Sequence, residues 1–204
     1  MVEAGASLNY VGGVHTFAGD VVGTGGGTVN VATTWQVPEA ASFNFPGDML
    51  QWGAATYTFN GVATNVGTIN ISGSTVNLAG TLNNESLIVH TSNDLNFNSA
   101  TINNRAGGVY ELQSGQLDAN TGTFVFNNEG LFRSVPDSSV TIDTDFINSG
   151  VIELKEGSLL NFTRSLSLQP ASTIRTELGG TTVADYGRLN RTCLLYTSPS
   201  PRDS

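Results

Sequence analysis

The residues of this sequence that could do chemistry are few, and most are acidic. Asp143 and Asp145 stand two apart, which on an extended strand places both carboxylates on one face, with Asp118 and Asp94 upstream where a repeat could bring them alongside. Paired carboxylates at a defined separation are what polysaccharide cleavage uses, and an acidic pair can also hold a cation weakly. No Lys or His accompanies them, and Arg133 and Arg164 do not fall in an equivalent register, so a solvated acidic face is the expected state. Trp35 and Trp52 offer a second chemistry, because two indoles near one face can stack on sugar rings; the same rings can equally fill a wide end of a core. Trp35, Trp52, Asp143 and Asp145 are therefore the candidate glycan-contact residues.

Other motifs point away from chemistry. His15 and His90 have no Cys or carboxylate at ligand spacing, and no Gly-x-Ser-x-Gly elbow occurs. The run Gly23-Thr24-Gly25-Gly26-Gly27 could cradle a phosphate only at the start of a helix, but Thr28-Val29-Asn30-Val31 alternates like a strand, so the run reads as a turn. The residues thus predict no catalytic group, no metal site and no cofactor.

What must position the candidates is a repeat. Gly27-Thr28-Val29-Asn30-Val31 returns as Gly67-Thr68-Ile69-Asn70-Ile71, and Gly108-Val109-Tyr110-Glu111-Leu112 returns as Gly150-Val151-Ile152-Glu153-Leu154. With weaker copies at Gly47, Ser86 and Gly130 the anchors step by 20, 20, 19, 22, 22 and 20 residues. A period near 20 without helical spacing marks a solenoid whose turns bury their apolar side only against one another. Each turn reads as three short strands, the third closing on Asn. Alternation turns Ile69, Ile71, Leu78, Leu95, Phe97, Leu112, Phe126, Ile142, Phe146, Leu154 and Phe162 inward. Asn84, Asn104, Asn128 and Asn148 would stack into an internal amide ladder. Between Trp35 and Trp52 the segment Pro38-Glu39-Ala40-Ala41-Ser42 reads as a bulky insert. The fold predicted is an all-β, right-handed, single-stranded parallel β-helix with coils of about 20 residues. An antiparallel sandwich shares the strand and turn spacing, and the self-similarity decides against it.

Composition agrees. There are 24 glycines among 204 residues, one Lys (Lys155), and only 12% charged residues, a strand-and-turn balance rather than a helical one. Eight basic against 17 acidic residues give a net charge of −9, which repels phosphate backbones and anionic lipid surfaces. Nucleic acid is excluded as a partner on that ground, and no apolar run is long enough for membrane insertion.

The stretches Phe126-Asn127-Asn128-Glu129-Gly130-Leu131-Phe132-Arg133 and Phe146-Ile147-Asn148-Ser149-Gly150-Val151-Ile152-Glu153-Leu154 resemble coils of large secreted bacterial β-helix repeat proteins, of the adhesin-like and autotransporter-passenger-like class. The likeness spans about residues 10 to 190. It implies a non-enzymatic stalk or spacer, extracellular or at the cell surface, whose partners are neighbouring repeats of a longer chain and surface glycans or host matrix. It carries over no catalytic residue. The alternative is a carbohydrate-binding or polysaccharide-cleaving β-helix. Residues 193–204, with the single Cys193, break the repeat and resemble a translated sequencing adapter. They are expected to be a disordered, artefactual tail, leaving 1–192 as the repeat segment, with signal and anchor outside this stretch.

Overall fold

A computed structural model describes residues 1–91 and 94–192, so the expected tail lies outside the described residues. Among the described residues, twenty strands make one continuous parallel sheet. The first coils hold β1 (Ser7–Thr16), β2 (Gly19–Val22), β3 (Thr28–Val37), β4 (Ala40–Asn44), β5 (Leu50–Trp52), β6 (Ala55–Asn65) and β7 (Thr68–Ile71). The middle holds β8 (Thr75–Asn84), β9 (Leu87–His90), β10 (Asp94–Asn104), β11 (Val109–Leu112), β12 (Gln116–Asn128) and β13 (Leu131–Ser134). The last coils hold β14 (Ser139–Ile142), β15 (Asp145–Asn148), β16 (Val151–Leu154), β17 (Leu159–Phe162), β18 (Leu166–Leu168), β19 (Thr173–Thr176) and β20 (Arg188–Arg191). Each strand pairs in parallel with the equivalent strand one coil away, so the chain is a parallel β-solenoid of about 8 turns with coils of about 21 residues. A single 3₁₀ turn at Val183–Asp185 is the one helical element among the described residues.

The alternation of the sequence becomes columns inside the coil. Ile69, Ile88, Tyr110, Phe132, Ile152 and Ile174 stack in register on one face. Ala41, Ala63, Leu82, Ile102, Phe126, Phe146 and Leu166 do so on another. The Phe126 and Phe146 rings lie nearly parallel, 4.9 Å apart at their centroids, the spacing that neighbouring strands impose. Every residue expected to face inward is buried. Burying a side chain of this size is worth about 1.5–3 kcal/mol, and here each gains it from the coils above and below rather than from a central core.

The amide ladder is present and one rung longer than expected. Asn65 donates to Asn84, Asn84 to Asn104, Asn104 to Asn128, and Asn128 to Asn148, each at 2.7 Å with every side chain fully buried. The second amide hydrogen goes to a strand carbonyl at 3.0 Å, that of Leu87, Val109, Leu131 and Val151 in turn, which fixes which end of each amide is nitrogen. Phe43 and Leu168 flank the ladder in the same column, and neither can extend it.

Two readings of the chain path need correction. Pro38–Ser42 is not an insert: residues 38 and 39 form the corner between β3 and β4, and Ala41 stacks on Ala63 as a regular core position. Gly61 makes this corner's neighbour workable, since a Cβ there would sit 1.0 Å from the Glu39 carbonyl oxygen. The second and third strands of several coils also run on as single bent strands, β8, β10 and β12, with register shifts at the bend instead of separate turns.

Candidate functional site

The acidic residues meet at one corner of the solenoid. Leu117 on β12 pairs with Ile142 on β14, and Ile142 pairs with Phe162 on β17, so the next residues, Asp118, Asp143 and Thr163, occupy equivalent positions of successive coils, Asp118 still within β12 and the other two just past their strands. The Asp143 amide donates to the Leu117 carbonyl at 2.7 Å, which pins that step. Asp143 and Asp145 are not on one strand face as the spacing suggested: Asp143 lies in the bend after β14 and Asp145 opens β15, with the fully buried Thr144 between them.

Each carboxylate is held by the following coil. The Thr163 hydroxyl donates to Asp143 at 2.7 Å and the Ser165 hydroxyl to Asp145 at 2.5 Å. Arg164, expected to be out of register, brings its Nε to 3.3 Å from Asp143 while its guanidinium lies 4.4 Å from the Phe124 ring centre. The long arginine stem spans the offset of one residue that the register leaves, and the ring face supplies a second attraction for the cation. Asp118 is the perturbed member: partial desolvation, and then the charges of Asp143 and Asp94, push its carboxyl above the usual range, with Arg164 pulling the other way. Cleavage of a glycosidic bond needs one free carboxylic acid facing one free carboxylate across the sugar. Asp143 and Asp145 instead face hydroxyls of their own chain. Among the described residues no group of three or more His, Cys, Asp or Glu is arranged to hold a metal ion.

The tryptophans are not a sugar platform. Trp35 and Trp52 are both 0% exposed. Trp52 stacks on Tyr57 with ring centres 4.1 Å apart, and Trp35 stacks on Phe43 at 5.5 Å. They occupy inward positions of β3 and β5, whose period-2 alternation leaves no freedom to turn one ring outward without inverting the strand. A ring with no free face cannot stack on a ligand, so both belong to the core. His90 is buried too, its Nδ1 3.1 Å from the Tyr110 hydroxyl, and burial pushes that phenol's pKa far up. His15 approaches the Gly12 carbonyl at 3.2 Å. The two histidines are not brought together.

One outer feature lies outside these motifs. Glu111, Arg133, Glu153 and Arg175 form a column of alternating sign down β11, β13, β16 and β19. Arg133 reaches Glu111 at 2.5 Å, and Lys155, beside this column, bridges Glu153 at 3.4 Å and Glu177 at 2.6 Å. The Glu177 hydrogen bond raises the Lys155 pKa and lowers that of Glu177. The signal was legible: outward residues of opposite sign recur at the repeat spacing.

No protein-family model matches the chain, and no curated protein or solved structure matches it significantly. No helix among the described residues is long and apolar enough to cross a membrane.

Proposed function

We propose that this chain is a non-enzymatic structural segment, a spacer or adhesive stalk of a bacterial extracellular or cell-surface protein. The observation that carries this reading is where the polar side chains spend their hydrogen bonds. Inward amides bond coil to coil, outward amides do the same in Asn83–Asn103–Asn127, and the acidic corner is tied down by Thr163, Arg164 and Ser165. A surface whose polar groups are satisfied along the repeat axis favours extension of the repeat over the reaching of a ligand. The cell-surface location and the stalk role rest on the resemblance of the coils to secreted β-helix repeats, an analogy of fold.

The test has two arms. At about 4.8 Å per coil, about 8 turns make a rod about 40 Å long, which small-angle scattering at low concentration reads as an elongated particle. Incubation with a polysaccharide panel should give neither turnover nor binding at micromolar concentration. Turnover, or micromolar binding lost in Asp143→Asn, would replace the stalk by a carbohydrate-binding or carbohydrate-cleaving β-helix.

A further inference from the structure

Asn60 and Gly61 are the two residues of β6 that no neighbouring strand pairs. On one side Val37 pairs with Phe59 and Ala40 with Val62, which sets Asn60-Gly61 against the corner residues 38 and 39, outside any strand. On the other side Phe59 pairs with Gly80 and Val62 with the very next residue, Thr81, so the two have nothing opposite them and form a bulge in the sheet. Asn60 is exposed, and its side chain makes no hydrogen bond among the described residues. Gly61 is fixed by its neighbour: the Glu39 carbonyl oxygen, which also accepts the Val62 amide at 2.8 Å, would lie 1.0 Å from a Cβ at this position. The pair Asn-Gly occurs once in the sequence, at the one place where the fold admits no larger residue second.

An asparagine followed by glycine carries a reaction within its own chain. Once base has taken its proton, the backbone nitrogen of the second residue attacks Cγ of the first; the N–Cγ bond forms, the Cγ–Nδ2 bond breaks, and ammonia leaves. The succinimide ring so closed then takes up water. Breaking the new N–Cγ bond gives aspartate, and breaking the bond from that nitrogen to the α-carbonyl carbon gives isoaspartate, whose chain runs through Cγ. Water enters, ammonia departs, and no other reactant is needed. Ring closure asks for an uncrowded nitrogen, a side chain free to swing over it, and a backbone not held in a ladder. Glycine supplies the first by lacking a Cβ, and the exposed bulge supplies the other two.

The asparagines that precede serine, the next least crowded nitrogen, are held. Asn148 is fully buried, accepts from Asn128 at 2.7 Å and donates to the Gly150 carbonyl at 3.3 Å, while the Ser149 nitrogen that would attack it donates to the Asn128 carbonyl at 2.8 Å. Asn98 donates to Asn77 at 3.4 Å and accepts from Asn120 at 2.8 Å.

We propose that Asn60 is a site of spontaneous modification, converting to aspartate and isoaspartate through attack of the Gly61 nitrogen while the solenoid stays folded. The product adds a carboxylate to a chain of net charge −9 and, as isoaspartate, lengthens the backbone within a bulge that has no ladder to disturb. It stands apart from the stalk reading, which conversion at this residue leaves untouched.

The full 204-residue chain, incubated at mildly alkaline pH in water labelled with heavy oxygen, tests this beside the same chain held in urea. Cleavage after glutamate releases residues 40–85, between Glu39 and Glu85, and fragmentation by mass spectrometry reads each asparagine there and in the neighbouring peptides. In the folded chain Asn60 should convert, take up heavy oxygen and become a substrate for an isoaspartyl-specific methyltransferase, slowed by less than about tenfold relative to urea. Asn98 and Asn148 should be slowed by more than about tenfold, because each must first open locally. Asn60→Gln, which would have to close a larger ring, should show no conversion at that position, and the β-sheet circular dichroism of the unaltered chain should persist as Asn60 converts. Folding that slows Asn60 as much as it slows Asn98 and Asn148 overturns the proposal. Loss of the β-sheet signal in step with conversion also overturns it, since the bulge would then be part of what holds the coil.

Discussion

Asn103 and Asn104 are adjacent, chemically identical, and each links the same three coils, yet they should differ several-fold in what they contribute. Asn104 is fully buried; it donates to the Asn128 oxygen at 2.7 Å and the Leu131 carbonyl at 3.0 Å and accepts from Asn84 at 2.7 Å. Asn104→Ala strips all three. The Asn128 oxygen loses its donor outright, one Asn84 hydrogen loses its acceptor, the Leu131 carbonyl loses one of its bonds, and a small void opens. At about 1–3 kcal/mol for a buried polar group left unpaired, discounted because Asn84 keeps its bond to Val109, the cost comes to about 3–5 kcal/mol. Asn103 donates to Asn83 and accepts from Asn127, both at 2.8 Å, but its side chain is half-buried and water replaces what Ala removes, so Asn103→Ala should cost under about 1 kcal/mol. Urea denaturation followed by circular dichroism gives both numbers. Amide exchange at Val109 and Leu131 shows whether the loss is local, as a chain of nearest-neighbour coils requires. Equal costs for the two variants would mean that the inner ladder does not sit in a dry interior, and the reasoning would fail.

Phe126→Ala and Phe146→Ala should each cost about 3–5 kcal/mol, whereas Asp143→Asn, which keeps an acceptor for Thr163, should cost under about 0.5 kcal/mol; thermal and urea unfolding separate them. Arg133→Glu turns an alternating column into three neighbouring acids and should cost about 1–2 kcal/mol at low salt, an effect that 1 M salt, with its Debye length of about 3 Å, largely removes. Asp118 has a raised carboxyl pKa in the folded chain, so folding favours its protonated form: the stability this contributes is complete at low pH and is lost as pH rises through the ordinary carboxylate range to the raised value. Asp118→Asn should therefore be more stable than the native chain at pH 7, with the difference vanishing below about pH 3; a difference independent of pH would refute the assignment.

The coil was legible because its information is local and repeated. A step near 20 residues and a period-2 alternation together determine which side chains face inward, and a slip of one residue would have inverted every strand. Asn84, Asn104, Asn128 and Asn148 could be read as a ladder because they end equivalent strands. Asn65 closes β6 two residues before Gly67, just as Asn128 and Asn148 stand two residues before Gly130 and Gly150, so this rung too was legible in the sequence. The acidic corner was only half legible. Alternation speaks for residues inside a strand, while Asp143 sits in a bend, where the register advances by the bend's own geometry and a long side chain such as Arg164 can reach across it. The tryptophans carried a real ambiguity, since an indole suits a sugar-stacking surface and a core equally well. What resolves it is the parity of Trp35 with Val31 and Val37 on one strand, all three buried.

The direction of the bonds bears on what such a rod can do. Backbone hydrogen bonds between coils, the Asn65–Asn148 ladder and the Glu111–Arg175 column all point along the repeat axis, each joining one coil to the next. A pull on the two ends therefore loads one coil interface at a time, opening its bonds in tension instead of shearing many strands at once. Compression and bending meet a different response, because stacked rings such as Phe126 on Phe146 and Trp52 on Tyr57 resist closer approach at van der Waals contact. The architecture thus resists compression and yields coil by coil under tension. Each opened coil exposes Asn amides that can bond again to the neighbour they left, so a stretched rod of this kind re-forms from the coils that remain folded.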